Sequence, residues 1–199
     1  TGMLNFTPEA YSLRWYEDIL RNGMSAPDEP FGWAWLADTW NNGQWIRAIR
    51  NSFFIGICAT LLSTALGTLA AIGLSRSEMP YRRLVMSILI SPMIVPLIIT
   101  AAGMFYFYSQ VHLSQTYLGV IMAHAVLGTP FVIITVTATL VGFDKSLVRA
   151  SQSLGAGALT TFRKVQMPLI IPGVISGGLF AFITSFDEVV AVLFLASPE

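Results

Sequence analysis

Four stretches of almost unbroken apolar residues, near 52–75, 84–108, 117–141 and 171–196, alternate with short polar connections. Each is long enough for a helix, rising about 1.5 Å per residue, to cross a bilayer core that takes roughly 20 residues. The runs are continuous rather than alternating and exceed the length of barrel strands, so strands are a poor reading. The pattern predicts an all-α membrane protein, a multi-spanning helical bundle forming one transmembrane domain over 1–199.

The first 51 residues have a different texture and read as an external segment and lead-in to the first span. Trp15, Tyr16, Trp33, Trp35, Trp40 and Trp45 lie among Asp, Asn and Gly, which suits short helices packed at headgroup level better than an aromatic binding box. Tyr11–Leu20 is predicted helical, with Ser12 as N-cap and Glu17 and Asp18 early in the helix. Inside the spans, Pro92, Pro96, Gly103, Gly128, Pro130, Pro172, Gly173, Gly177 and Gly178 mark helices whose neighbours can satisfy freed backbone groups. Gly177, Gly178 and Ala181 make small-residue faces for close helix approach, with flexible gating an equally open use of the same residues.

Composition agrees: 54% of the 199 residues are hydrophobic, 11% are charged and the mean hydropathy is +0.66, which excludes an ordinary soluble domain. The net charge is zero, so nothing argues for nucleic acid, and charge carries meaning only by position. Arg76, Arg82 and Arg83 place the first connection inside, 109–116 carries no Lys or Arg and falls outside, and Lys145, Arg149, Arg163 and Lys164 return 142–168 to the cytoplasmic side. Arg14, Arg21, Arg47 and Arg50 in the external segment soften the contrast. A lone Cys58 with His112 and His124 assembles neither a disulfide nor a metal cluster, so no metal site is expected.

The segment 142–168 carries the strongest signal. Leu147, Ala150, Ser151 and Leu154 follow helical spacing, Gly155 can take a left-handed C-terminal position, and Phe162 and Val165 resume an apolar stripe before Pro168. The result is a helix-turn-helix at the cytoplasmic surface. Leu154-Gly155-Ala156, Phe162, Met167-Pro168 and Pro172-Gly173 resemble the "EAA" loop of type I ABC importer permeases, although Arg149-Ala150-Ser151 stands where that pattern has Glu-Ala-Ala. The resemblance implies the type I ABC importer permease fold, with one span missing before Thr1 and one after Glu199. It also implies a multi-pass protein of the bacterial inner (plasma) membrane, embedded in lipid. In that family the loop docks on a cytoplasmic ATPase, a role that falls here on Arg149, Ala150, Ser151, Leu154, Gly155, Ala156, Phe162 and Pro168. The implied partners are an ABC ATPase dimer, a second permease subunit, the same or related, and a periplasmic or extracellular substrate-binding protein. The chain has no Gly-x-x-x-x-Gly-Lys-Ser/Thr, so ATP and Mg²⁺ belong to the partner and this subunit is expected to bind no cofactor and catalyse nothing.

In the last span Asp187 and Glu188 lie in apolar surroundings, where an acidic side chain at the helix centre costs roughly 2.5–3.5 kcal/mol and therefore seeks a wet cavity or a cationic partner. With Ser185 they are the expected lining of a substrate path; an internal ion pair or helix-helix hydrogen bond is the plain alternative. If the helix is continuous, Asp187 sits roughly 13 Å from Ala196, in the outer half of the membrane. The Phe-x-x-Ser-Phe-Asp-Glu stretch, with Ser12–Tyr16, Asn51-Ser52 and Phe143-Asp144-Lys145, resembles the permeases of spermidine/putrescine importers, and carboxylates suit ammonium groups. Importers of 2-aminoethylphosphonate or ferric iron share the architecture. An ion-coupled secondary transporter would use Asp187 and Glu188 as cation sites but leaves 142–168 unexplained.

Overall fold

A computed structural model describes residues 13–76, 78–142, 144 and 146–196, and every regular element among them is helical. The expected Ser12 cap, and Phe143, Lys145 and 197–199, lie outside the described residues. Two compact units divide the chain, Thr1–Phe53 and Phe54–Glu199.

In the first unit, α1 (Arg14–Arg21) and α2 (Trp33–Asn42) are followed by the start of α3 (Gln44–Leu74). The connection between α1 and α2 is held by Asp38, whose carboxylate accepts the Ser25 and Ala26 N–H groups at 3.2 and 2.9 Å and the Asn42 side-chain amide. Thr39 donates to the Trp35 carbonyl at 2.8 Å, and Trp35 is buried. Trp15, Trp33, Trp40 and Trp45 are exposed, so the tryptophans divide between one packing residue and an outward set. Arg50 lies 4.9 Å from the Trp40 ring centroid and donates to the Trp40 carbonyl at 3.1 Å. The α3 helix begins at Gln44 rather than at the predicted 52, because nothing between Gln44 and Asn51 breaks a helix and the apolar run alone does not mark its first turns. Its 31 residues reach roughly 46 Å, well beyond a hydrocarbon core of about 30 Å.

The second unit is organised around α6 (Tyr117–Val141), whose N-cap Thr116 accepts the Gly119 N–H at 3.0 Å. Ala123, Val132, Ile133 and Val136 on it are fully or almost fully buried. It packs lengthwise against α9 (Met167–Asp187), along the stripe Gly173, Gly177, Ala181 and Ser185 that recurs every four residues. The expected small-residue face is therefore a packing face.

Two predicted spans are corrected. The apolar run 84–108 is not one straight helix but α4 (Arg82–Ile94) and α5 (Leu97–Gln110), bent by 103°. Val95 precedes Pro96 and is driven to extended backbone (ψ 134°), which ends α4. The run 171–196 is likewise broken: α9 stops at Asp187, Glu188 is extended, and α10 (Val190–Leu195) follows, packed against α5 through Tyr108 and Leu195. Gln44–Leu74, Tyr117–Val141 and Ala158–Asp187 are each long and apolar enough to cross a membrane, and the bent pair makes a fourth span if counted as one.

Candidate functional site

The segment 142–168 forms a helical arm, a turn and a second arm. The first arm, α7 (Ser146–Ser153), starts where Asp144 accepts the Ser146 N–H and hydroxyl at 2.8 and 2.7 Å. These bonds, the hydroxyl first, hold the Asp144 carboxyl below its ordinary value. Folding thus lowers the acid's proton affinity, so the cap's contribution is complete above the ordinary carboxylate range and disappears only as pH falls through the lowered value. Asp144→Ala is expected to speed amide exchange at Ser146 and Leu147 at pH 7, whereas exchange in the native α7, corrected for its intrinsic pH dependence, stays constant from pH 7 to 5. Hydrogen-exchange mass spectrometry measures both.

The arm ends at Gly155, whose φ of +80° is the left-handed conformation that only glycine adopts without strain. The Gly155 N–H bonds to the Gln152 carbonyl at 2.9 Å and the Ala156 N–H to the Ser151 carbonyl at 3.1 Å, closing the turn. The second arm, α8 (Ala158–Thr161), is no separate short helix: it passes through a π-helical turn, Phe162–Gln166, directly into α9, giving 30 helical residues from Ala158 to Asp187. Pro168, expected to end the loop, sits instead at the α-helical start of α9. A proline there supplies no N–H and crowds the preceding turn, and wider π geometry just ahead of it lets the helix continue.

Of the predicted loop residues, the structure ties Ser151 to the second arm: its hydroxyl lies 2.8 Å from that of buried Thr161. Thr161 escaped the sequence reading because nothing in a Thr-Thr pair says which member turns inward. Arg149, Ala150, Gly155 and Pro168 are exposed, Ala156 and Phe162 half-buried, and Leu154 is 88% exposed at the tip of the turn. Leu159 is exposed nearby, so the tip offers apolar side chains outward.

The three predicted path residues do not form one cluster. Ser185 is buried and hydrogen-bonded to His124 Nδ1 at 2.7 Å, linking α9 to α6. Asp187 is exposed at the end of α9. Glu188 is outside any helix, and its Oε1 accepts the Ala191 N–H at 2.9 Å, capping α10. The 13 Å helical separation of Asp187 and Ala196 therefore does not apply, because the carboxylates mark a break. A carboxylate three residues before an N–H it can cap is the available sequence signal, obscured by the apolar run around it.

The family described as "Binding-protein-dependent transport system inner membrane component" matches residues 63–199. The spermidine/putrescine transport system permease protein PotC of Haemophilus influenzae is 31% identical over 192 residues, covering 96% of this chain and 70% of the relative. The PotC protein of Escherichia coli K12 is 28% identical over 83% of this chain and 62% of its own length. The sulfate transport system permease protein CysT of Salmonella typhimurium is 31% identical over 82% of this chain and 64% of its own. The chain thus spans roughly two thirds of these relatives, which are themselves transport permeases. With its all-helical membrane architecture, the chain belongs to the family of binding-protein-dependent transport system inner membrane components.

Proposed function

We propose that this inner-membrane chain is the permease subunit of an ATP-binding cassette importer and that its solute is a polyamine such as spermidine or putrescine. The observation that carries the solute assignment is the interruption of the last span at Asp187–Glu188, where two carboxylates stand beside a helix break in an otherwise apolar run. The PotC relatives are permeases of spermidine/putrescine transport systems, which is the same solute chemistry. A sulfate-like anion, the solute of the CysT relative, would meet like charge at this position, as would the anionic end of 2-aminoethylphosphonate.

In this reading the path forms between the chain and a second permease, the same or related, with solute delivered by an external binding protein. A cytoplasmic ATPase dimer carrying ATP and Mg²⁺ seats the turn at Leu154–Ala156. Closure of the ATPases pushes on α7, and the Ser151–Thr161 contact passes the push to the second arm. From there 30 helical residues, roughly 45 Å at about 1.5 Å each, lead to Asp187. A displacement at the turn thus reaches the carboxylates through one helix rather than through a chain of loops.

Spermidine uptake into proteoliposomes by the full-length complex, with binding protein and ATP, tests this. Asp187→Asn with Glu188→Gln keeps an acceptor oxygen for the Ala191 N–H while removing both charges. Loss of charge-assisted bonds worth about 1.5–3 kcal/mol lowers uptake at least about tenfold with assembly intact. A wild-type complex that hydrolyses ATP but imports no polyamine sinks the solute assignment and leaves the importer class standing.

A further inference from the structure

We propose that His124 is a specificity-determining residue of the transport path, its Nε2 buried in this conformation and becoming a hydrogen-bond acceptor for a protonated amine when α6 and α9 part beside Ser185. The inference rests on the permease reading above. His124 is only 3% exposed, and its two ring nitrogens have unequal surroundings. Nδ1 lies 2.7 Å from Ser185 Oγ, whereas Nε2 is buried with no hydrogen-bond partner among the described residues. A buried imidazole nitrogen without a partner is costly to maintain, and such a group calls for a reason. A purely structural clip between the helices needs Nδ1 alone.

The position supplies the reason. Ser185 is two residues before α9 ends, and Glu188 follows just past the break. The third wall is α3: a β-carbon on Gly56 would lie 3.2 Å from the Phe182 ring and 3.9 Å from Ser185 Oγ. The role requires the tautomer in which Nδ1–H donates to Ser185 Oγ, for the neutral ring then holds a lone pair at Nε2, the group an ammonium N–H requires. The hydroxyl also fixes the ring orientation, so the acceptor is already aimed when the helices separate.

Two measurements on the full-length complex in proteoliposomes decide the matter. The chain has only two histidines, and exposed His112 is the internal reference for modification by diethyl pyrocarbonate, read by mass spectrometry. His124 should be protected without nucleotide, become reactive relative to His112 during ATP hydrolysis, and regain protection with saturating spermidine. His124 that stays protected throughout turnover overturns the proposal, and this arm needs ATP but no transported solute, so it stands apart from the polyamine assignment. In the second, His124→Asn places its amide where Nδ1 lies, retaining a partner for Ser185 while deleting Nε2. The half-saturating spermidine concentration should rise about tenfold with maximal uptake and assembly retained, the pattern of a lost solute contact. An unchanged half-saturating concentration, or a fall in assembly alone, reduces His124 to a structural clip.

Discussion

Gly155→Asp is expected to leave the chain folded and assembled with its ATPase-free partners while cutting ATP-driven uptake by about tenfold or more. The expectation follows from two local facts. A β-carbon at Gly155 would meet nothing within 4 Å, so the added side chain collides with no part of this protein. The backbone there has φ +80°, and Asp is among the few other residues that tolerate the left-handed region, which confines the local cost to roughly 1–2 kcal/mol. What changes is the outer surface of the turn: a carboxylate now stands next to Leu154, 88% exposed, at the tip proposed to seat in the ATPase. Burying that charge in an apolar socket easily exceeds the 1.4 kcal/mol that corresponds to about tenfold in the docked fraction. Co-purification of the ATPase and spermidine uptake, measured on the same preparation, check it. Normal docking with normal uptake would remove Gly155 from the coupling surface.

The turn illustrates what was legible in the sequence. A glycine directly after a helically spaced set of apolar residues is a local signal, and the backbone at Gly155 needs only local information to be read. The long apolar runs were legible for the same reason: their length alone separates helix from strand. Interruptions within them were not. In the sequence Pro96 is one more proline tolerated inside a span, but its effect on Val95 is a 103° bend, and apolar character is the same on both sides of it. In the sequence Glu188 is a charge within an apolar span; in the fold it is a cap at a helix start, a role decided by where its Oε1 finds an N–H. Pro168 closes the 142–168 loop in the sequence, yet the π-helical turn at Phe162–Gln166 carries the helix through it. The two side-chain links between segments, Ser151 with Thr161 and His124 with Ser185, join residues 10 and 61 positions apart, and only the folded chain brings the second pair together.

The other large effect is expected at Gly177, where α6 and α9 approach so closely that the chain has no room for a side chain. A β-carbon at Gly177 would lie 2.7 Å from the Val132 Cα and closer still to the Thr135 hydroxyl, so the obstacle is backbone as well as side chain. A rotamer change can move the Thr135 hydroxyl, which already donates to the Phe131 carbonyl of its own helix at 3.0 Å, but no rotamer change moves the Cα of a fully buried Val132. Gly177→Ala therefore forces the two helices apart, and overpacking of this kind costs typically about 1–3 kcal/mol; Gly177→Leu exceeds that range. The same stripe carries Ala181, whose β-carbon faces Gly128, and Ser185, bonded to His124, so displacement at Gly177 loosens the contacts that hold the end of α9 in place. The expected result is a graded fall in detergent-solubilised thermal stability, native above Gly177→Ala above Gly177→Leu, with the leucine variant failing to accumulate in the membrane. At exposed Ser176, one position away on the same helix, Leu should leave both readings unchanged, which ties the effect to the α6 contact rather than to helix propensity. A leucine variant at Gly177 that accumulates and melts like the native chain would mean that α6 and α9 are not held together along this stripe.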